Sequence, residues 1–178
     1  MNAKRFYKAH ATGYPLHSRL KWRGLNISIE NGVGSVREGV DGNGKPWRVR
    51  MKVPYGYIRN TESPDGDHLD VFVGPNLLSD KVFVVHTVDP VQGRYDEDKV
   101  FIGFDSPQGA KKCFLEHYTD PRWYGGMTQF DADHFVLLVK SGKLMKRKAL
   151  VGKPVPNASK SELQRLLEIA IQANTVKQ

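Results

Sequence analysis

The chain has 178 residues, 39 % apolar and 26 % charged, with 27 Lys and Arg against 19 Asp and Glu, for a formal charge of +8. Eight Phe, seven Tyr and three Trp need a core, which argues against disorder along the whole length, and no apolar run approaches the roughly 20 residues of a membrane span. The single cysteine, Cys113, excludes an internal disulfide framework and a Cys-based zinc site, and it fits a reducing cytoplasm.

Charge is unevenly spread. Residues 1–23 carry +6, residues 140–178 carry +7 and the stretch between them −5. The first ten residues are basic but lack the apolar stretch of a signal peptide. The basic ends leave two readings open: ordinary solvated faces, or contact with nucleic acid or a partner, the cluster Lys143, Lys146, Arg147 and Lys148 being the densest.

Residues 1–24 lack clear periodicity and read as a basic N-terminal arm. From Leu25 the pattern is β-like, with Leu25, Ile27 and Ile29 alternating with Asn26, Ser28 and Glu30. Asn31-Gly32 and Gly34 supply a turn before Ser35–Glu38. Asp41-Gly42-Asn43-Gly44 signals a hairpin leading into Trp47–Met51. Further strands are expected over 81–86 and 99–104, with a polar loop from Asp89 to Asp98 between them. Ser106-Pro107 opens a helix to about Tyr118, and Asp131 is placed to cap a second through Val139. Ser159 and Glu162 form a capping box for a last helix carrying Leu163, Leu166, Leu167, Ala170 and Ile171 on one face. Strands first and helices after predict an α+β fold with a small antiparallel barrel or curled sheet.

The densest chemistry lies in Asp65, Asp67 and Asp70, spaced D-x-D-x-x-D. Like charges this close repel, and a hard divalent cation such as Mg²⁺ is the usual compensation. Gly66 lets the chain bend between the first two, and Asp70 begins an apolar strand. Taken alone, the same triplet is equally a solvated acidic turn. It is not an EF-hand loop, which needs a ligand residue and a glycine where Leu69 and Asp70 stand. His86, His117 and His134 show no metal-ligand spacing, and His68 stands out only for its place among the three aspartates.

Three separated motifs carry a resemblance. Tyr55-Gly56-Tyr57-Ile58 with Asp65-Gly66-Asp67-His68-Leu69-Asp70-Val71, then Glu97-Asp98-Lys99, then Phe114-Leu115-Glu116-His117-Tyr118 resemble, in order and spacing, the soluble family I inorganic pyrophosphatases. The pattern looks closer still to the pyrophosphatase-like domains of phage and mobile-element proteins. The resemblance implies an OB-like barrel flanked by helices, with residues 25–140 as the catalytic domain and 141–178 as a basic extension. It also implies Mg²⁺-dependent hydrolysis of pyrophosphate or a related phosphoanhydride, with two or more ions per site. Asp65, Asp70, Glu97, Asp89 and Glu30 would be metal ligands. Asp67 would take the proton of the attacking water, with Lys99 and Tyr55 beside it. Arg37, Arg50 (or Arg48) and Tyr118 would hold phosphate. Two departures bear on turnover: Glu97 replaces an aspartate, and Thr119 replaces a phosphate-binding lysine, for which Arg122 is the nearest substitute. A module that keeps the fold and binds nucleic acid or a protein without turnover is the other reading. The resemblance leaves the oligomeric state open.

Overall fold

The computed structural model describes residues 18–41, 44–61 and 67–142. Its strands are β1 (Ser18–Trp22), β2 (Leu25–Asn31), β3 (Val36–Val40), β4 (Pro46–Arg50), β5 (Tyr55–Ile58), β6 (Leu69–Val73), β7 (Lys81–Asp89), β8 (Arg94–Ile102) and β9 (Tyr124–Asp131). Two helices follow the strands' lead, α1 (Pro107–His117) and α2 (Ala132–Lys140), and a 3-10 turn covers Pro121–Trp123. Seven strands form one sheet in the order β1-β2-β5-β6-β8-β7-β9, while β3 and β4 pair separately. Among the described residues no pairing joins β1 to β9. The sheet is therefore open where a small closed barrel was expected, and it is mixed, since β6 runs parallel to β8.

That parallel pair arises because β7 takes the outer place and β8 returns between it and β6. The loops leaving β6 and β8 touch at Gly74 and Gly103, where the Gly74 N–H donates to Ile102 O (2.7 Å) and the Asn76 N–H to Gly103 O (3.0 Å). Period-2 alternation then sorts the side chains. Leu69, Val71 and Val73 of β6 and Val100 and Ile102 of β8 join an aliphatic core with Ile27, Ile29, Ile58, Val82 and Val84, closed by Phe135, Val136 and Leu138 of α2. Phe72 and Phe101 point to the opposite face and stack at 4.6 Å. They form an aromatic core with Tyr55 and Phe83, closed by Ala110, Cys113 and Phe114 of α1.

Several sequence expectations are corrected. The arm assigned to 1–24 contains β1 over residues 18–22, joined to β2 by a two-residue turn at Arg23 (φ 45°) and Gly24 (φ 78°), whose left-handed twist suits a hairpin. The expected loop 89–98 is mostly strand: β7 and β8 pair out to Asp89 and Arg94. β5, inside the motif, and β9, whose Gly125-Gly126 reads as a turn, were not anticipated. Ser106 caps α1 as expected, accepting from the Gly109 N–H at 3.1 Å. Asp131 stands at the start of α2 without a side-chain cap bond, its carboxylate accepting instead from Lys81 Nζ at 2.9 Å. The helix expected over 159–171 lies outside the described residues. Among the described residues no helix is long and apolar enough to cross a membrane.

Gly56 pairs with Ile29 where β5 crosses β2, and a methyl group there would run into the carbonyl oxygen of Ser28. The glycine of the Tyr-Gly-Tyr-Ile stretch is therefore a packing requirement of the sheet. Gly56→Ala is expected to lower stability by about 3 kcal/mol or more. Urea unfolding checks this, and a loss under about 0.5 kcal/mol would contradict it.

Candidate active site

The parallel register sets Asp70 of β6 beside Lys99 of β8. Lys99 Nζ lies 2.5 Å from Asp70 Oδ2 and 2.6 Å from Glu97 Oε1. Glu97 stands two residues before Lys99 and so shares its face of β8. Tyr55, opposite Phe72 on β5, donates its hydroxyl to the same Asp70 oxygen at 2.6 Å. The Lys99 side chain is 6 % exposed, Asp70 13 % and Glu97 31 %, so little water screens the three charges. Burial works against the Lys99 ammonium, but Asp70 and its other neighbours outweigh it and hold Lys99 well above the ordinary lysine value. Burial pushes the Glu97 carboxyl up, with Lys99 pulling it back.

Arg37 on β3 shares a face with Val49 of β4, which turns it inward. Its guanidinium lies 4.0 Å from the Tyr55 ring centroid and 5.5 Å from that of Trp47. Burial disfavours its charge, yet Tyr55, Asp70, Tyr118 and Glu30 keep its pKa above the ordinary value. Among the described residues, the buried Arg37 Nε–H has no hydrogen-bond partner. Unsatisfied donors inside proteins are costly and uncommon, and this one fits an anion's oxygen. Tyr118 follows α1, stacks on Phe114 at 4.1 Å, and is pushed up to about 12 by burial.

These groups border a cavity of about 400 Å³. Arg37, Glu97, Lys99 and Tyr118 line it, while Asp70 and Tyr55 stand behind Lys99. Thr119 and Arg122 line it too, and Arg122 is held by Asp120 through Nη2 at 2.6 Å and Nε at 3.0 Å. Other sequence candidates lie elsewhere. Asp67 is exposed at the approach to β6 and does not line the cavity. Asp65 lies outside the described residues. The Asp89 carboxylate accepts from the N–H groups of Val91 (2.7 Å) and Gln92 (3.0 Å), holding the β7–β8 turn. Arg50 donates to Gly34 O at 2.7 Å, whereas Arg48 lines the cavity and pairs with Glu38 at 3.6 Å. His68 stacks on Tyr57 at 4.7 Å. Among the described residues no three His, Cys, Asp or Glu side chains are gathered as a metal cluster.

Sequence reasoning missed Trp47, Trp123 and His117 in the cavity wall. His117 Nε2 accepts from the Lys52 N–H at 2.9 Å and Nδ1 faces Cys113 O at 2.6 Å. Both nitrogens are thus used by a neutral ring, which ties α1 to the segment entering β5. The Cys113 thiol is buried, and burial pushes its pKa up to about 12, which disfavours the reactive thiolate. His86 bridges Asp98 (2.6 Å) and Thr128 (2.8 Å), linking β7, β8 and β9.

The family model for inorganic pyrophosphatase matches residues 6–140. No curated protein matches the chain significantly. Among solved structures, an inorganic phosphatase from Anaplasma phagocytophilum is 20 % identical, with 68 % of this chain and 92 % of that chain covered and a TM-score of 0.39.

Removing Lys99 takes the shared ammonium from Asp70, 13 % exposed, and from the partly buried Glu97, so Lys99→Met is expected to cost about 3 kcal/mol. Adding Asp70→Asn should restore part of that loss in chemical denaturation; strictly additive losses would contradict the triad. Burial holds the His117 pKa below its ordinary value. Its unfolded form therefore takes the proton first, and stability falls as pH drops through about 6.5. The stability lost between about pH 7.5 and about pH 5.5 should shrink in His117→Gln, and an unchanged loss would contradict the assignment.

Proposed function

The chain belongs to the inorganic pyrophosphatase family, and from that premise we propose that it hydrolyses inorganic pyrophosphate, or a related phosphoanhydride, to phosphate in a Mg²⁺-dependent reaction. The observation that carries this reading is the convergence of Arg37, Glu97, Lys99 and Tyr118 on one cavity, with Asp70 and Tyr55 directly behind. A substrate with several negative charges needs cations and hydrogen-bond donors around it. Arg37 offers a buried, unpaired Nε–H and a planar fork. Lys99 offers an ammonium that its carboxylate neighbours keep protonated at all ordinary pH. Tyr118 offers a phenol that burial keeps neutral and donating.

The donor set fits a hard cation. Asp70 and Glu97 present carboxylate oxygens to one point, where Lys99 already supplies positive charge. In this reading Asp70, Glu97 and Asp65 hold Mg²⁺. Asp89 is left out because its Oδ1 is held by two N–H groups of the β7–β8 turn and it does not line the cavity, and Glu30 acts through Arg37, whose charge it supports. Bound there, Mg²⁺ would neutralise phosphate charge and lower the pKa of water. Asp67, exposed at the approach to β6, accepts the proton of the attacking water. Lys99 and Arg37 orient the phosphates, and Tyr55 fixes the Asp70 carboxylate. Arg122 takes the place of the lysine that Thr119 replaces. A module that binds without turnover is not favoured by the family or by this cavity.

Phosphate release from pyrophosphate tests the reading. Wild type should release phosphate with Mg²⁺ and stop on chelation with EDTA. Asp70→Asn and Arg37→Ala should each fall by about 100-fold or more. Release by wild type no faster than by Asp70→Asn, with both folded, would contradict it.

A further inference from the structure

An inorganic anion would leave part of the cavity unexplained. Pyrophosphate is small and charged over its surface, whereas cavities of about 300–1,000 Å³ take ligands with apolar parts. Trp47, beside Arg37, Trp123, beside Tyr118, and Val91 also line the cavity. Trp47 belongs to neither apolar cluster. It is half-buried against Gly39, where a β-carbon would come within 2.8 Å of its ring. Trp123, half-buried at the edge of the aromatic core, lies 6.1 Å from the Tyr118 ring. Val91, at the rim on the β7–β8 turn, is 70 % exposed. Core packing accounts for Trp123 but not for Trp47. Indole faces beside phosphate-binding cations suit a nucleotide, whose base stacks on aromatic rings while its phosphates meet Arg and Lys.

We propose that the cavity takes a nucleoside diphosphate, with its base against Trp47 and Trp123 and its terminal phosphate toward Arg37 and Lys99. This rests on the phosphoanhydride-hydrolase reading above and names the substrate class of the same site. The oxygen of a water bonds to the terminal phosphorus. The bond from that phosphorus to the bridging oxygen breaks, and its electron pair stays on the bridging oxygen. The products are a nucleoside monophosphate and phosphate, and the water's proton passes to the carboxylate assigned as base, Asp67.

The test compares phosphate release from ADP, GDP, CDP and UDP with release from pyrophosphate, all with Mg²⁺, in wild type, Trp47→Leu and Trp47→Phe. At least one nucleoside diphosphate should be hydrolysed. Trp47→Leu should lower the ratio of its kcat/KM to that of pyrophosphate by about tenfold or more, and Trp47→Phe should keep most of it. Should Trp47→Leu fail to fold, Trp123→Leu is judged by the same ratio. Quenching of the wild-type indole fluorescence by the nucleotide, and not by pyrophosphate, is also expected. Hydrolysis of pyrophosphate with none of the four nucleotides would overturn the nucleotide proposal alone. A fall that leaves the ratio unchanged would overturn the stacking role of the tryptophans. Hydrolysis of neither kind of substrate would overturn both this proposal and the reading it rests on.

Discussion

An ammonium with 6 % of its side chain exposed cannot stay charged unless opposite charge lies against it. Lys99 meets that requirement through Asp70 at 2.5 Å and Glu97 at 2.6 Å. Both contacts follow from backbone geometry. The parallel pairing of β6 with β8 sets Asp70 beside Lys99, and the two-residue strand period sets Glu97 on the same side. A one-residue slip would turn Lys99 into the aliphatic core and Val100 out of it. The hydrophobic demand that fixes the register of Val71, Val100 and Ile102 therefore also fixes the ion triad. Stability and site are set by the same alternation.

The rest of the cavity is layered on this centre. The aromatic core of Phe72, Phe101 and Phe114 is the floor on which Tyr55 and Tyr118 rest. The two-stranded β3–β4 unit brings Arg37 over Tyr55 from the other side. The excess positive charge of the chain lies at its ends, whereas the central stretch is net acidic. In the proposed function, anion binding is thus a local matter of Arg37, Lys99 and their neighbours, not an effect of the overall charge of +8.

Much of this was legible in the sequence. Arg37, Tyr55, Asp70, Glu97, Lys99 and Tyr118 were singled out, and the structure brings them together, although the strand carrying Tyr55 and the strand character at Glu97 were not read. Period-2 alternation announced β2, β7 and part of β8, and Ser106-Pro107 announced α1. What was missed is non-local. β1 pairs only because the Arg23-Gly24 turn folds it back on β2, and β9 is a strand only because β7 offers it an edge. Asp89 was singled out as a ligand, and in the structure its Oδ1 accepts from two N–H groups of its own turn. Trp47 carries no local signal that it will face Arg37 across the β3–β4 pair, and the His117 contact with Lys52 spans 65 residues. A small barrel or curled sheet was expected from the order of strands and helices, and a barrel from the resemblance; the strand order shows an open sheet.

The central claim is that substrate phosphate binds at the cavity bordered by Arg37, Lys99 and Tyr118. A crystal structure of the protein with Mg²⁺ and the non-hydrolysable analogue imidodiphosphate tests it most directly. The account predicts an analogue oxygen within about 3 Å of the Arg37 Nε–H and another on Lys99 Nζ, with Asp70 and Glu97 turned toward metal. An analogue bound elsewhere on the sheet, with Arg37 Nε still unpaired, would contradict it.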